Sequence, residues 1–81
     1  MSGQPTVTVR YWAGARRAAG TAEERLAAGT VAELRTTLCG RPDVGRVAEA
    51  ASYLVDGQQA QLDTPLTDGS VVDVLPPFAG G

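Results

Sequence analysis

The chain has 81 residues, 43 % hydrophobic and 20 % charged, with a net charge of −2. That length allows one domain with one modest core and leaves little room for a deep, enclosed active site. All seven basic residues are arginine, and no lysine or histidine is present, which removes the commonest general base, the usual metal ligand and the Schiff-base amine, and makes Ser-His-Asp or Cys-His catalysis impossible.

Thr6 to Trp12 alternates, with Val7, Val9 and Tyr11 on one face and Thr8, Arg10 and Trp12 on the other. This pattern predicts a half-buried strand. Ala13 to Gly20 reads as a turn or one loose helical turn, and Thr21 to Ala27 as a weak second strand, the hairpin partner of the first. Thr30-Val31-Ala32-Glu33 is a capping box, in which the Thr oxygen accepts from the Glu amide and the Glu side chain reaches back. Val31, Leu34 and Leu38 continue as an apolar stripe until Gly40 and Pro42 stop the helix. Val44, Val47 and Ala51 suggest a second short turn of helix. Tyr53 to Val55 reads as a strand, Asp56-Gly57 as a turn, and Gln59 to Leu62 as a short edge strand. Thr64 to Gly69 is a turn-rich connection. Val71 to Leu75 is the last strand, with Val72 and Val74 inward and Val71, Asp73 and Leu75 outward.

Two strands, a helix and further short strands predict a two-layer α+β domain. A hairpin, a helix and a final central strand make the β-grasp arrangement, a mixed sheet packed on one main helix. The expected division is a domain over residues 1–75 and a flexible tail over 76–81.

The sequence closes with Pro76-Pro77-Phe78-Ala79-Gly80-Gly81. The prolines favour an extended path, and six extended residues reach about 20 Å. Gly80 and Gly81 lack a Cβ, so the backbone there can pass through a narrow channel to a reactive centre. The expectation is an arm that presents the carboxylate of Gly81 to another protein, with Gly80 as clearance and Phe78 as an anchor in the partner. Parity puts Trp12 and Leu75 on the outer face at the ends of neighbouring central strands, beside the root of this arm. A large apolar pair there predicts a partner interface.

Other residues point away from chemistry in this chain. Cys39 reads as a small packing residue; a single cysteine excludes an internal disulfide and fits a reducing compartment. Asp43, Asp56, Asp63, Asp68 and Asp73 fall mostly at turn signals and do not read as a metal site. Arg16 and Arg17 read as a solvated pair. The acidic balance argues against nucleic acid. Neither a signal peptide nor a membrane-length apolar run is visible, so a cytoplasmic protein without a membrane partner is expected.

Val9-Arg10-Tyr11-Trp12-Ala13, Thr30-Val31-Ala32-Glu33-Leu34, Pro65-Leu66-Thr67-Asp68-Gly69 and the closing Pro76 to Gly81 together resemble the MoaD/ThiS sulfur-carrier family, which is ubiquitin-like. The Pro-Pro stem and the length look closer to MoaD, the small subunit of molybdopterin synthase; Phe78-Ala79 departs from the smaller or hydroxyl residues often found there. The resemblance implies that an adenylating enzyme of the MoeB or ThiF type uses ATP to activate Gly81. A sulfur donor then converts it to a thiocarboxylate. Docking on a MoaE-like large subunit delivers the sulfur in molybdenum cofactor synthesis. The carrier itself then needs no cofactor and no metal and is a non-catalytic subunit of the enzyme complex. Related carriers serve thiamine thiazole, cysteine or thio-sugar synthesis, and a ubiquitin-like protein modifier is the remaining alternative.

Overall fold

Strand β1 (Thr6–Tyr11) buries Val7, Val9 and Tyr11 and turns Arg10 outward, as its alternation requires. The structure is a computed structural model that describes residues 3–77. After β1 come α1 (Ala13–Ala19), β2 (Glu23–Ala27), α2 (Val31–Cys39), α3 (Gly45–Ala50), β3 (Ser52–Val55), β4 (Gln58–Gln59) and β5 (Val71–Leu75). The five strands form one sheet in the order β2-β1-β5-β3-β4. β1 and β5 are parallel, and the other neighbours are antiparallel. This is the ubiquitin-like β-grasp, an α+β fold.

The helices share one face of the sheet. Val7, Val9, Val72 and Val74 from the strands join Ala15, Val31, Leu34, Leu38, Val44 and Ala48 from the helical side in a single buried cluster. Leu34 and Leu38 have no exposed surface, and truncating such a side chain to alanine costs about 2–5 kcal/mol. Among the described residues no helix covers the opposite face of the sheet, on which Arg10, Val71 and Leu75 lie.

Three local details differ from the sequence reading. Ala13–Ala19 is a helix of two turns rather than a turn or one loose helical turn, so β1 and β2 pair antiparallel but are joined through α1 instead of a tight hairpin. The alanine-rich composition favours it, Ala15 is its buried contact, and Gly20 closes it at φ 75° with its N–H on the Arg16 carbonyl. The cap of α2 is also rearranged. Thr30 Oγ1 accepts from the Glu33 amide at 3.1 Å, but the Glu33 carboxylate takes the Gly29 amide, at 2.8 Å, one residue earlier than the standard box. Third, the edge strand is only Gln58–Gln59, reached through Asp56 and Gly57 at φ 50° and 84°, as a two-residue hairpin turn of primed type requires.

A charged cluster ties β1 and β2 to the α2–α3 connection. Arg41 donates to Glu24 at 2.7 Å and to Asp43 at 2.9 Å. The Tyr11 hydroxyl donates to the same Glu24 oxygen, and Asp43 also accepts the Val44 amide at 2.7 Å. Burial pushes the Glu24 carboxyl up, but the Tyr11 and Arg41 hydrogen bonds outweigh it and hold it below the usual range. Arg41 holds Asp43 low in the same way. Carboxyls depressed in the folded state stabilise it fully above their unfolded pKa and lose that contribution as pH falls through the folded value. Thermal melts should therefore show stability falling as pH drops from about 5 toward 2, with a shallower fall in Arg41→Ala.

Gly45 opens α3 against the end of α2. A Cβ there would stand 2.7 Å from the Cys39 carbonyl oxygen, a backbone atom that cannot swing away. Gly45→Ala should lower the unfolding free energy by about 1–3 kcal/mol in urea titrations. Gly40→Ala is the control: its Cβ would meet nothing nearer than 3.6 Å, and its φ of −81° suits alanine, so no comparable loss is expected.

Candidate functional site

The parallel β1–β5 register sets the site. Tyr11 lies opposite Val74, so one further step along both strands brings Trp12 beside Leu75. The Trp12 amide donates to the Val74 carbonyl at 3.3 Å, continuing the ladder by one bond. Trp12 is also the N-cap of α1, and Ala13 follows at φ 48°. That left-handed conformation is uncommon for alanine. It turns the chain sharply from the strand into the helix and leaves Trp12 at the rim of the sheet.

Trp12 and Leu75 line an open groove of about 800 Å³, together with Ala13, Gly14, Arg17, Arg46, Val47, Ala50, Ser52, Pro76 and Pro77. The walls come from the start of α1, one side of α3 and the exit of β5. Trp12 is 45 % exposed, one of two large apolar side chains so exposed among the described residues. Leu75 is partly covered. The structure thus brings the two outer-face residues together at the root of the stem, where parity placed them. Phe78, Gly80 and Gly81 lie outside the described residues.

The groove has features that sequence reasoning missed. Val47 and Ala50 of α3 form one wall. Arg16 and Arg17 are both exposed, but Arg17 lines the groove, as does Arg46 from α3. No acidic side chain lines it among the described residues. Asp73 lies in the middle of β5 on its outward face, as the alternation predicted, yet is only 5 % exposed. Its carboxylate accepts from Arg10 Nε at 2.7 Å and Nη2 at 3.2 Å, and from Trp12 Nε1 at 2.9 Å. The Arg10 guanidinium carbon sits 5.6 Å from the centre of the indole, within cation–π range. Arg10 holds the Asp73 carboxyl below the usual carboxylate range, against burial and with help from Trp12. Outward parity in two neighbouring strands was the signal for this pair, and it needed the register to be read.

Asp56 and Asp68 act on the backbone. Asp56 accepts the Val71 amide at 3.0 Å and Asp68 the Thr6 amide at 2.8 Å. No group of three or more potential metal ligands occurs among the described residues. Cys39 is partly buried against the core. No helix of the described residues is long and apolar enough to cross a membrane.

A β-grasp sheet with an apolar groove at the root of its C-terminal stem defines a ubiquitin-like protein. The ThiS family model matches residues 9–81, and the chain belongs to that family of ubiquitin-like sulfur carriers. Several solved structures are similar. A Pyrococcus furiosus protein assigned as molybdopterin converting factor subunit 1 is 28 % identical with a TM-score of 0.79, over 93 % of this chain and 100 % of its own. The small archaeal modifier protein 1 of Methanosarcina acetivorans is 25 % identical with a TM-score of 0.83, over 99 % and 100 %. A chain from the complex of subunits 1 and 2 of the molybdopterin-converting factor of Helicobacter pylori is 26 % identical with a TM-score of 0.74, over 94 % and 99 %. No curated protein matches the sequence.

Proposed function

We propose that this protein carries sulfur on the carboxylate of Gly81 and donates it in molybdopterin synthesis, as the small subunit of molybdopterin synthase. The observation that carries the reading is the family match, which runs through Gly80 and Gly81. The likeness to two molybdopterin-converting subunits supports the pathway. The likeness to a small archaeal modifier protein favours protein modification as the second reading.

The chemistry asks little of the chain. A carboxylate is a poor electrophile. Attack of a Gly81 oxygen on the α-phosphorus of ATP, on an adenylating enzyme of the MoeB or ThiF type, forms an acyl-adenylate and releases pyrophosphate. Sulfide from a donor then attacks the acyl carbon and displaces AMP, leaving a thiocarboxylate; if the donor is a persulfide, the acyl disulfide it forms is reduced by a thiol to the same product. That sulfur is a soft nucleophile and attacks the acceptor on a MoaE-like large subunit; water then cleaves the acyl C–S bond, leaving the sulfur on the acceptor and returning the carboxylate. This chain binds no cofactor in the scheme; ATP belongs to the activating enzyme. The groove at the stem root, with Trp12 and Leu75 on it, is the docking surface, and Phe78 lies further along the stem.

Incubation with an adenylating enzyme, ATP and a sulfur donor should replace one oxygen of Gly81 by sulfur, read by intact mass. Deleting Gly81 or adding a residue after it should abolish cofactor synthesis without changing the thermal melt. An extended variant that works untrimmed refutes the reading. A product joined only through an isopeptide bond selects the modifier.

Trp12→Ala should weaken binding of the large subunit by about 2 kcal/mol or more, measured by titration calorimetry. The variant should stay folded, because the indole contributes nothing to the buried cluster. A folded variant with unchanged affinity removes this groove from the interface.

A further inference from the structure

Asp73 is the only buried charged residue among those described. It interrupts an otherwise apolar strand, Val71–Leu75, the central strand of the sheet. An ion pair in such a place is weak evidence of stabilisation, because desolvation offsets the attraction and an apolar pair of similar volume would serve as well. The carboxylate does something an apolar side chain could not. It lies directly opposite Arg10 in the parallel register and bridges Arg10 and Trp12, two successive outward side chains of the neighbouring chain segment. One oxygen, Oδ1, takes both Arg10 Nε and the indole N–H. The guanidinium in turn faces the indole ring. The indole is thus held at its N–H and against its face, while nearly half of its residue surface stays open to solvent.

An exposed tryptophan without such partners samples several rotamers and loses that freedom on binding. A tryptophan already fixed loses less, which strengthens binding without any new contact. We infer that Asp73 is a positioning residue that locks the Trp12 indole as a preformed wall of the docking groove, and so raises the affinity of the carrier for its partner. The inference rests on the docking role proposed above. Arg10 supports it by keeping the carboxylate charged and by capping the ring.

The chain has a single tryptophan, which makes the lock visible without any partner. Its one indole N–H proton resonance should be shifted downfield and slow to exchange in the wild type. In Asp73→Ala that resonance should move upfield and exchange quickly, and acrylamide quenching of tryptophan emission should rise. Asp73→Asn, which keeps an acceptor but not the charge, should fall between the two. A resonance and quenching that do not change in Asp73→Ala, in a variant that melts cooperatively, overturn the lock.

Binding to the purified large subunit supplies the functional half as a double-mutant cycle. Asp73→Ala should weaken binding about two- to tenfold, the loss expected for one side chain that must now be ordered. On a Trp12→Phe background, which keeps a ring but has no N–H, Asp73→Ala should cost little more. Equal losses on both backgrounds mean that Asp73 acts by itself and overturn the inference. If the wild type does not bind the large subunit, the docking role fails and the claim on affinity fails with it, while the indole resonance still decides whether Asp73 holds Trp12.

Discussion

The parallel pairing of β1 with β5 is the constraint on which the rest depends. It joins the first strand to the last across more than sixty residues of chain, with Thr8 opposite Val71 and Tyr11 opposite Val74. Such non-local pairing carries a large loop-closure cost and is held by the side chains it brings together. Inward, these are Val7, Val9, Val72 and Val74, none more than 1 % exposed. Outward, they are Arg10 and Asp73. A slip by one residue would send the valines to solvent and the ion pair into the core, so one register serves both faces.

The same register places the groove. Because β1 and β5 run in the same direction, their C-terminal ends emerge at the same rim. Trp12 leaves one strand there and the Pro76-Pro77 stem leaves the other. α3 lies on the inner side of this rim and closes the groove with Val47 and Ala50. Its close approach to α2 depends on Gly45, whose missing side chain makes room for the Cys39 carbonyl. The groove therefore combines a sheet register, a sharp turn at Ala13 and a helix contact.

Charge is divided between two networks with different tasks. Arg41, Glu24, Asp43 and Tyr11 fasten β1 and β2 to the connection between α2 and α3. Arg10 and Asp73 engage the exposed indole. Arg17 and Arg46 are left on the groove without an acidic neighbour in its lining.

The sequence by itself determined the four longer strands of the sheet, the Thr30 cap and apolar stripe of α2, and the inward and outward sets of β1 and β5. Those depend on periodicity and on residues a few positions apart, which are local properties. It also carried the family, through short motifs in a characteristic order, and the pairing of Trp12 with Leu75, since parity and chain direction suffice once the two strands are neighbours. Only the tertiary structure decided the rest. The helical state of Ala13 to Ala19 depends on burial of Ala15 beneath the sheet, which overrides a weak local signal. The Glu33 carboxylate prefers the Gly29 amide because of where the preceding loop lies. Asp73 was legible as an outward residue of the last strand, but only the register set it against Arg10 and within reach of the Trp12 indole. Arg17 and Arg46 are far apart in the chain, and only the packing of α3 brings them to one groove. Contacts between distant segments follow from register and packing, which no local pattern of residues contains.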